Sequence, residues 1–287
     1  MITLKIQHRT KYRYGKPVSL QPHRLMLRPR EGHSLKLISF HVTITPDAAL
    51  AWSQDVAGNA IATASFHATT DHLSIESVAE VQLDAVRWPV FDIAASAISY
   101  PFRYSDDDRT DLGALTVQQY PDATMELRDW ARTFVRGNPT DTLSLLKDVN
   151  AWIPVWIAYE SRDDEGTQTP VQTLNRRRGS CRDLAVLLVE VVRSLGFGAR
   201  LVSGYLYSPD QAGVVPAIPQ TTHAWAEIYV SGAGWITFDP TNATVGGSNL
   251  IPVAVGRDIR QVAPVSGSFV GISEDFQNMS AEVFVTS

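Results

Sequence analysis

The sequence contains a single cysteine, Cys181, in 287 residues. An intramolecular disulfide and a zinc site built from several cysteines are therefore excluded. No stretch approaches the roughly 18 consecutive apolar residues that a membrane-spanning helix needs. The N-terminus also lacks the basic flank and apolar run of a signal peptide. We therefore expect no membrane partner and a cytoplasmic location.

An excess of positive charge is also lacking. The formal net charge is −5, so a nucleic-acid partner is not expected. The local basic cluster Arg176–Arg178 is typical of a solvated loop before a helix. The seven histidines include no pair at the four-residue spacing of a helical metal site, so we expect neither a metal nor another cofactor.

Residues 1 to about 100 have the pattern of β structure. Leu4 and Ile6 alternate with polar residues, and the segment 36–44 is rich in β-branched and aromatic side chains. Segments 61–66 and 73–83 continue the two-residue period, and 52–59 is typical of a turn between strands. Several strands at this spacing predict an all-β, sandwich-like N-terminal domain.

The pattern changes to a helical one further along the chain. Pro89, Pro101 and the acidic run 106–108 indicate a linker. One helix is predicted from about residue 122 to the Gly137 region, and another from an Asp141 cap to Pro154. The predicted division is therefore 1–105 and 106–287, and the predicted fold class is α+β.

The cysteine lies at a helix start. Gly179 precedes Ser180, Cys181 and Asp183, and a long apolar segment follows. Ser180 and Asp183 have the spacing of a capping box, which places the thiol in the first helical turn. The unpaired N–H groups and the positive end of the helix dipole there favour a thiolate, the reactive form of cysteine.

A predicted hairpin provides a histidine and a carboxylate. A loop containing proline and glycine, 208–220, precedes a strand at 222–230, a turn at 231–234 and a returning strand at 235–240. If opposite residues have numbers with an even sum, His223 and Asp239 share a face as diagonal neighbours. If the sum is odd, they point to opposite faces unless a bulge intervenes. The turn permits both registers.

A thiol, a histidine and a carboxylate together can perform covalent acyl transfer. The histidine takes the thiol proton and later protonates the leaving amine, while the carboxylate orients the imidazole. Taken singly, each of the three residues also has an ordinary structural interpretation. Their order along the chain, at a capped helix and in a hairpin, favours the catalytic interpretation.

Four ordered segments resemble bacterial transglutaminase-like proteins: 179–185 around the cysteine, 197–206, 223–227 around the histidine, and 235–242 around the aspartate. Segments near the N-terminus, including Tyr12–Tyr14, Pro22–Leu25 and the 52–59 turn, resemble the N-terminal β domain of that family. The resemblance extends over nearly the whole chain. It departs from the common family pattern at Ser180, Arg182 and Leu184, which leaves the three reactive residues unchanged but affects the surroundings of the cysteine.

The resemblance implies a papain-like transglutaminase core of helices packed on an antiparallel sheet. It also implies a catalytic triad of Cys181, His223 and Asp239 that acts on a peptide or protein amide through a thioester. Water or an amine would resolve that thioester.

Residues around the triad are candidates for substrate binding. The Cys181 backbone N–H is the natural first donor to an oxyanion, and Trp156 and Tyr159 are candidates for a second. Their helical spacing is more typical of core aromatics than of an oxyanion donor. Arg182 could favour the thiolate or point to solvent, and Trp225 could line an acyl groove or pack in the sheet. Asn242 could brace the site or hold the C-terminal strands.

Two other classes of function are considered. A non-catalytic peptide- or protein-binding module could keep the same fold, because fold alone does not guarantee activity. A metal-dependent hydrolase is disfavoured by the histidine spacing.

Overall fold

The computed structural model describes residues 1–162, 166–208 and 220–287. Most of the predicted loop at 208–220 therefore lies outside the described residues. The first six strands are β1 (Ile2–Leu20), β2 (His23–Leu25), β3 (Leu35–Thr45), β4 (Ala49–Gln54), β5 (Ala60–Ser65) and β6 (Thr69–Leu83). They are followed by β7 (Ser99–Tyr100), α1 (Asp106–Leu112), α2 (Glu126–Arg132), β8 (Thr140–Asp141), α3 (Thr142–Trp156), β9 (Ala158–Tyr159), α4 (Pro170–Arg176), β10 (Arg178–Gly179) and α5 (Cys181–Ser194). The remaining strands are β11 (Ala199–Leu206), β12 (His223–Val230), β13 (Gly234–Asp239), β14 (Thr244–Val245), β15 (Leu250–Gly256), β16 (Val265–Ser266), β17 (Phe269–Val270) and β18 (Phe276–Thr286).

The N-terminal strands form two sheets that face each other. One sheet has the order β17-β1-β6-β3, with β18 also paired to β1, and the other has the order β16-β2-β5-β4. Burial along β1 alternates, as expected for a strand with one face in a core. Tyr14, Val18 and Leu73 lie between the two sheets with Leu25 and Ala64. The structure thus has the sandwich-like β layer that the alternating pattern predicts.

The long strands β1 and β6 also reach a second core. Leu4 and Ile6 of β1 and Val81 of β6 belong to the same hydrophobic cluster as the buried side of α5. Strands β16, β17 and β18 come from the end of the chain and pair with β2 and β1. The division at residue 105 stays a prediction, and the pairing shows that the last strands of the predicted second domain extend the N-terminal sheets.

Helices and a five-stranded sheet form the rest of the fold. The sheet has the order β14-β13-β12-β11-β15, and all of its described pairings are antiparallel. Helix α5 is buried along almost its whole length, as its apolar sequence predicts, and packs on β12. The mixed architecture is α+β.

One predicted boundary was wrong, and one helix ends two residues later than the proline near which it was predicted to stop. The acidic run 106–108 is the first turn of α1 rather than a linker, since the Ser105 side chain caps it and acidic residues are favourable at a helix start. Helix α3 continues past Pro154 to Trp156. Proline near a helix end removes only one hydrogen bond, and the amide of Ile157 still bonds to the carbonyl of Ile153 at 2.8 Å.

The two halves of the fold contact each other through buried polar groups. Asn59, at the 52–59 turn, donates to the Val255 carbonyl at 2.7 Å and accepts from the Val255 amide at 2.8 Å. The buried His8 ring of β1 bonds to the Tyr205 hydroxyl of β11 at 3.1 Å. Within the described ranges, no helix combines the length and apolar character needed to span a bilayer, and the cellular location stays a prediction.

Candidate active site

Cys181 is the first residue of α5 and is 8 % exposed. The Ser180 amide donates to the Asp183 carboxylate at 2.8 Å, as a capping box requires. The Ser180 hydroxyl also donates to the same carboxylate oxygen, at 2.9 Å. The thiol therefore lies at the positive end of a buried helix, where an anion is favoured.

Asp183 does more than cap the helix. Its fully buried carboxylate accepts from the Gln168 amide at 2.7 Å and forms an ion pair with Arg162 at 3.2 Å. A side chain at Gly179 would meet the Asp183 Cβ at 2.9 Å, so only glycine fits between them. No sequence pattern indicated the roles of Gln168 and Arg162, because they approach the cysteine loop from a separate segment.

The hairpin has the even register. Ala226 pairs with Phe238 and Ile228 with Ile236, so the odd alternative is wrong. His223 and Asp239 consequently meet, with His223 Nε2 at 2.9 Å from Asp239 Oδ2. Cys181 bonds to the same ring. Since Asp239 occupies Nε2, Nδ1 is the ring nitrogen available to the sulfur.

Asp239 is itself held in place. Its Oδ1 accepts from the Thr241 amide at 3.0 Å and from the Asn242 amide at 3.4 Å. The Asn242 side-chain amide donates to Oδ2 at 2.7 Å. Of the two roles considered for Asn242, the structure has the bracing one. The fixed carboxylate in turn sets the orientation of the His223 ring.

The charges of these groups stabilise each other. Burial lowers the pKa of His223, but the bonds and charges of Asp239 and Cys181 outweigh burial and raise that pKa from 6.5 to about 10. Burial raises the pKa of Asp239, yet its bonds from His223, Asn242 and Thr241 bring the pKa below the usual value. The arrangement thus favours an imidazolium beside the sulfur at neutral pH.

The flanking candidates divide into exposed and buried residues. Trp156 is 41 % exposed and Tyr159 is 54 % exposed, so the core interpretation of these aromatics was wrong. Trp156 ends α3, and the Arg177 guanidinium lies 4.2 Å from its ring centroid. Tyr159 lies in β9, opposite Gly179. Burial and the nearby charge of Cys181 raise the Tyr159 pKa, which keeps the phenol neutral.

Two other candidates have structural contacts. Trp225 is 1 % exposed and packs with Val202, Leu250 and Val255. Its predicted role in an acyl groove was wrong, because a side chain this deeply buried presents no surface to a substrate. Arg182 is half-buried and donates to the Arg162 carbonyl at 3.2 Å, so its guanidinium is engaged by the cysteine loop rather than directed only to solvent.

The site can be compared with known proteins. Residues 4–82 match the family model of the bacterial transglutaminase-like N-terminal region, and residues 128–240 match that of the transglutaminase-like superfamily. Cys181, His223 and Asp239 all lie within the second match.

Proteins of similar sequence or fold occur in other bacteria. A protein of Mycobacterium tuberculosis is 27 % identical over 283 residues, which cover 94 % of this chain and 88 % of that protein. A Mycobacterium leprae protein is 39 % identical over 101 residues, 35 % of this chain and 36 % of its own length. A crystal structure of a candidate cysteine protease from Cytophaga hutchinsonii has the same fold, with a TM-score of 0.71 and 21 % identity over 99 % of this chain and 91 % of that one.

Both matched regions occur in one chain, the N-terminal one first, and the whole length superposes on one solved fold. The superfamily is one of cysteine-dependent enzymes, and the core of this chain places its lone cysteine beside a histidine bonded to an aspartate. The chain is a bacterial transglutaminase-like protein.

Proposed function

We propose that the protein is a cysteine-dependent acyl-transfer enzyme that acts on amide bonds of peptides or proteins. The observation that supports this most directly is the bonded series Cys181–His223–Asp239 at the start of a buried helix. A thiolate beside an imidazolium is the reactive form that amide acylation requires.

In the first half-reaction, the Cys181 thiolate attacks the amide carbonyl carbon. The negative charge moves to the carbonyl oxygen, where the Cys181 backbone N–H at the helix start is the first donor. His223 then gives its proton to the leaving amine, the C–N bond breaks, and a thioester to Cys181 remains. Asp239 balances the positive charge that His223 carries before this step.

In the second half-reaction, His223 is a neutral base. It takes a proton from water, the resulting hydroxide equivalent attacks the thioester, and the C–S bond breaks to restore the thiolate. An amine could replace water and produce a new amide. We take hydrolysis as the first outcome, because it needs no second binding site for an amine.

Tyr159 is proposed as the second donor to the oxyanion, with Trp156 and Arg182 as neighbouring substrate contacts. Tyr159 is exposed, neutral and close enough to Cys181 for the charge of the sulfur to raise its pKa. A neutral phenol can donate a hydrogen bond to a developing oxyanion. A change of Tyr159 to Phe should therefore slow acylation more than it weakens substrate binding.

Acyl-enzyme trapping tests the proposed function. The protein is mixed with a library of peptide amides and quenched in acid, and the mass of the Cys181 peptide is measured. We expect a mass increase that corresponds to the acyl group in the native protein and none in Cys181→Ala. Adding a primary amine measures the partition between hydrolysis and cross-linking.

The competing function, a non-catalytic binding module, makes a different prediction. Such a module would show peptide binding without any acyl adduct, and its cysteine would react with iodoacetamide only near the pH of ordinary thiols, around 8.5. Absence of both the adduct and the enhanced alkylation would reject the enzymatic proposal.

A further inference from the structure

The tripeptide Arg176–Arg178 is not used by the reactive residues. Arg176 ends α4, and Arg177 adopts a left-handed conformation with φ 54° and stacks on Trp156. Arg178 begins β10. The fold therefore separates the three guanidinium groups. Of the three, Arg176 and Arg178 line the same open space.

That space is an open cleft with a cavity volume of about 490 Å³. We call it the arginine cleft; among its lining residues are Glu160, Arg162, Gln168, Gln172, Arg176 and Arg178. Among the residues that the structure describes, its wall carries three arginines and one acidic residue. The loop interpretation of the basic cluster does not account for this concave arrangement.

The three arginines differ in whether an acidic side chain nearby already neutralises their positive charge. Arg162 forms an ion pair with the buried Asp183 at 3.2 Å. Arg178 is 64 % exposed and lies 3.9 Å from Glu160, at the limit of an ion pair. Arg176 donates to the neutral Gln168 side chain at 3.4 Å. Arg176 and Arg178 therefore present the positive charge of the cleft.

The cleft is joined directly to the cysteine loop. The Gln168 side chain donates to the Arg178 carbonyl at 3.0 Å, and its backbone amide bonds to Asp183, which holds Ser180. Arg178 precedes Cys181 by three residues, a distance of at most about 10 Å of extended chain. A bound peptide spans the same distance with about three residues.

We propose that the arginine cleft binds a substrate carboxylate, so that the enzyme selects amides with Asp or Glu within about three residues of the reacting bond. This inference rests on the proposed acyl chemistry at Cys181. Guanidinium groups match carboxylates in planar, two-point geometry, which gives the contact direction as well as charge. A short acidic peptide fits better than a nucleic acid, because the whole protein carries a net charge of −5 that repels an extended polyanion.

Matched peptide pairs test the proposal. Each pair differs only by Glu against Gln, or Asp against Asn, at one position within three residues of the amide. We expect kcat/KM to favour the acidic member about 10-fold in at least one position, as is typical of a charge-assisted contact. The preference should fall when ionic strength rises from about 0.05 M to about 0.5 M, because salt screens the contact.

Variants test whether the preference for acidic peptides comes from the cleft or from the overall charge of the protein. Arg176→Gln with Arg178→Gln should reduce the acidic-to-neutral ratio of kcat/KM to near 1. The matched control is Arg177→Gln, which removes the same charge from the same tripeptide but outside the cleft, and it should keep most of the ratio. An equal loss of the ratio in all variants would overturn the proposal.

A binding assay distinguishes failure of this proposal from failure of the proposed function. Fluorescence anisotropy with Cys181→Ala and labelled peptide pairs needs no turnover. Tighter binding of the acidic member supports the cleft even if no peptide acylates Cys181. Equal affinity overturns it. Displacement of the acidic peptide by single-stranded RNA at equal charge concentration would also overturn it.

Discussion

Replacing Asp239 by Asn should disrupt the proposed mechanism because it moves one proton on the His223 ring from Nε2 to Nδ1. In the native site, Oδ1 accepts from two backbone amides and Oδ2 accepts from His223 Nε2 at 2.9 Å. An asparagine that keeps both backbone bonds must place its oxygen at the Oδ1 position. Its NH₂ group then faces His223 Nε2, which can only accept. The ring proton is forced onto Nδ1, the nitrogen that has to take a proton from the thiol.

The expected cost is large for catalysis and moderate for folding. The corresponding change in a serine-type triad lowers kcat by roughly 10⁴, because it leaves the geometry intact and reverses the tautomer. We expect a similar fall in the rate of acylation of Cys181. The melting temperature near pH 7 should fall, because the variant lacks the charge that stabilises the His223 imidazolium and turns the acceptor of the Asn242 side-chain amide into a second donor.

The pH dependence of stability should also change. The His223 pKa is raised from 6.5 to about 10 in the folded protein, so its contribution to stability is fully present below pH 6.5 and is lost as the pH rises toward 10. At 1.36 kcal/mol per unit, the contribution is at most about 5 kcal/mol. The native protein should therefore lose a few kcal/mol of unfolding free energy between pH 6.5 and 10, and Asp239→Asn should lose much less.

Single-turnover acylation and urea unfolding across pH measure both effects. Asp258→Asn is the matched control, because Asp258 is also buried and bonds to its neighbour Arg260 at 2.9 Å, but it lies outside the reactive site. An acylation rate for Asp239→Asn within about 10-fold of the native rate would refute the tautomer argument. Asp239 would then be a turn residue that happens to touch a histidine.

Three further changes test other parts of the site. Cys181→Ala should abolish acylation while unfolding free energy changes by less than about 2 kcal/mol, which urea titration checks; any remaining turnover excludes Cys181 as the nucleophile. Ser180→Ala should cost about 1 kcal/mol of stability and slow iodoacetamide alkylation at pH 6, and an unchanged alkylation rate would show that the cap does not activate the thiol. Trp225→Ala should destabilise the fold by about 3–5 kcal/mol in urea, and a loss of activity at native stability would instead support contact with substrate.

Local sequence patterns predicted the capped helix and the hairpin because both depend on neighbouring residues. The hairpin register did not follow from them. A side chain at Gly232 would lie 2.4 Å from the Ala94 nitrogen, and the Ser231 carbonyl accepts from the Ala94 amide at 2.9 Å. The turn is thus fitted against a segment 137 residues away in the chain, and no pattern within the hairpin contains that contact.

The exposure of individual aromatic side chains could also not be predicted from the sequence. The periodicity of α3 does not show that its last residue, Trp156, lies at the surface under Arg177. Trp225 alternates correctly for the side of the strand that carries His223, yet it is sealed from solvent by another part of the molecule. Both outcomes depend on which segments pack against the helix end and the sheet, which is a tertiary property.

The packing of Trp225 explains why the N-terminal β layer matters to the site. The ring of Trp225 lies 6.0 Å from the His223 ring and belongs to a small buried cluster against which Ala57 of the 52–59 turn packs. That turn is fastened to β15 by Asn59, whose two bonds to Val255 imitate a strand pairing. On the far side, a side chain at Gly204 would lie 2.7 Å from the Trp225 ring, so β11 also approaches it closely. The histidine is therefore supported from behind by a tryptophan held between both halves of the fold.

Asn59→Ala should weaken that support, and we expect it to lower the acylation rate as well as the unfolding free energy, since removal of one partner leaves the Val255 backbone groups buried and unpaired.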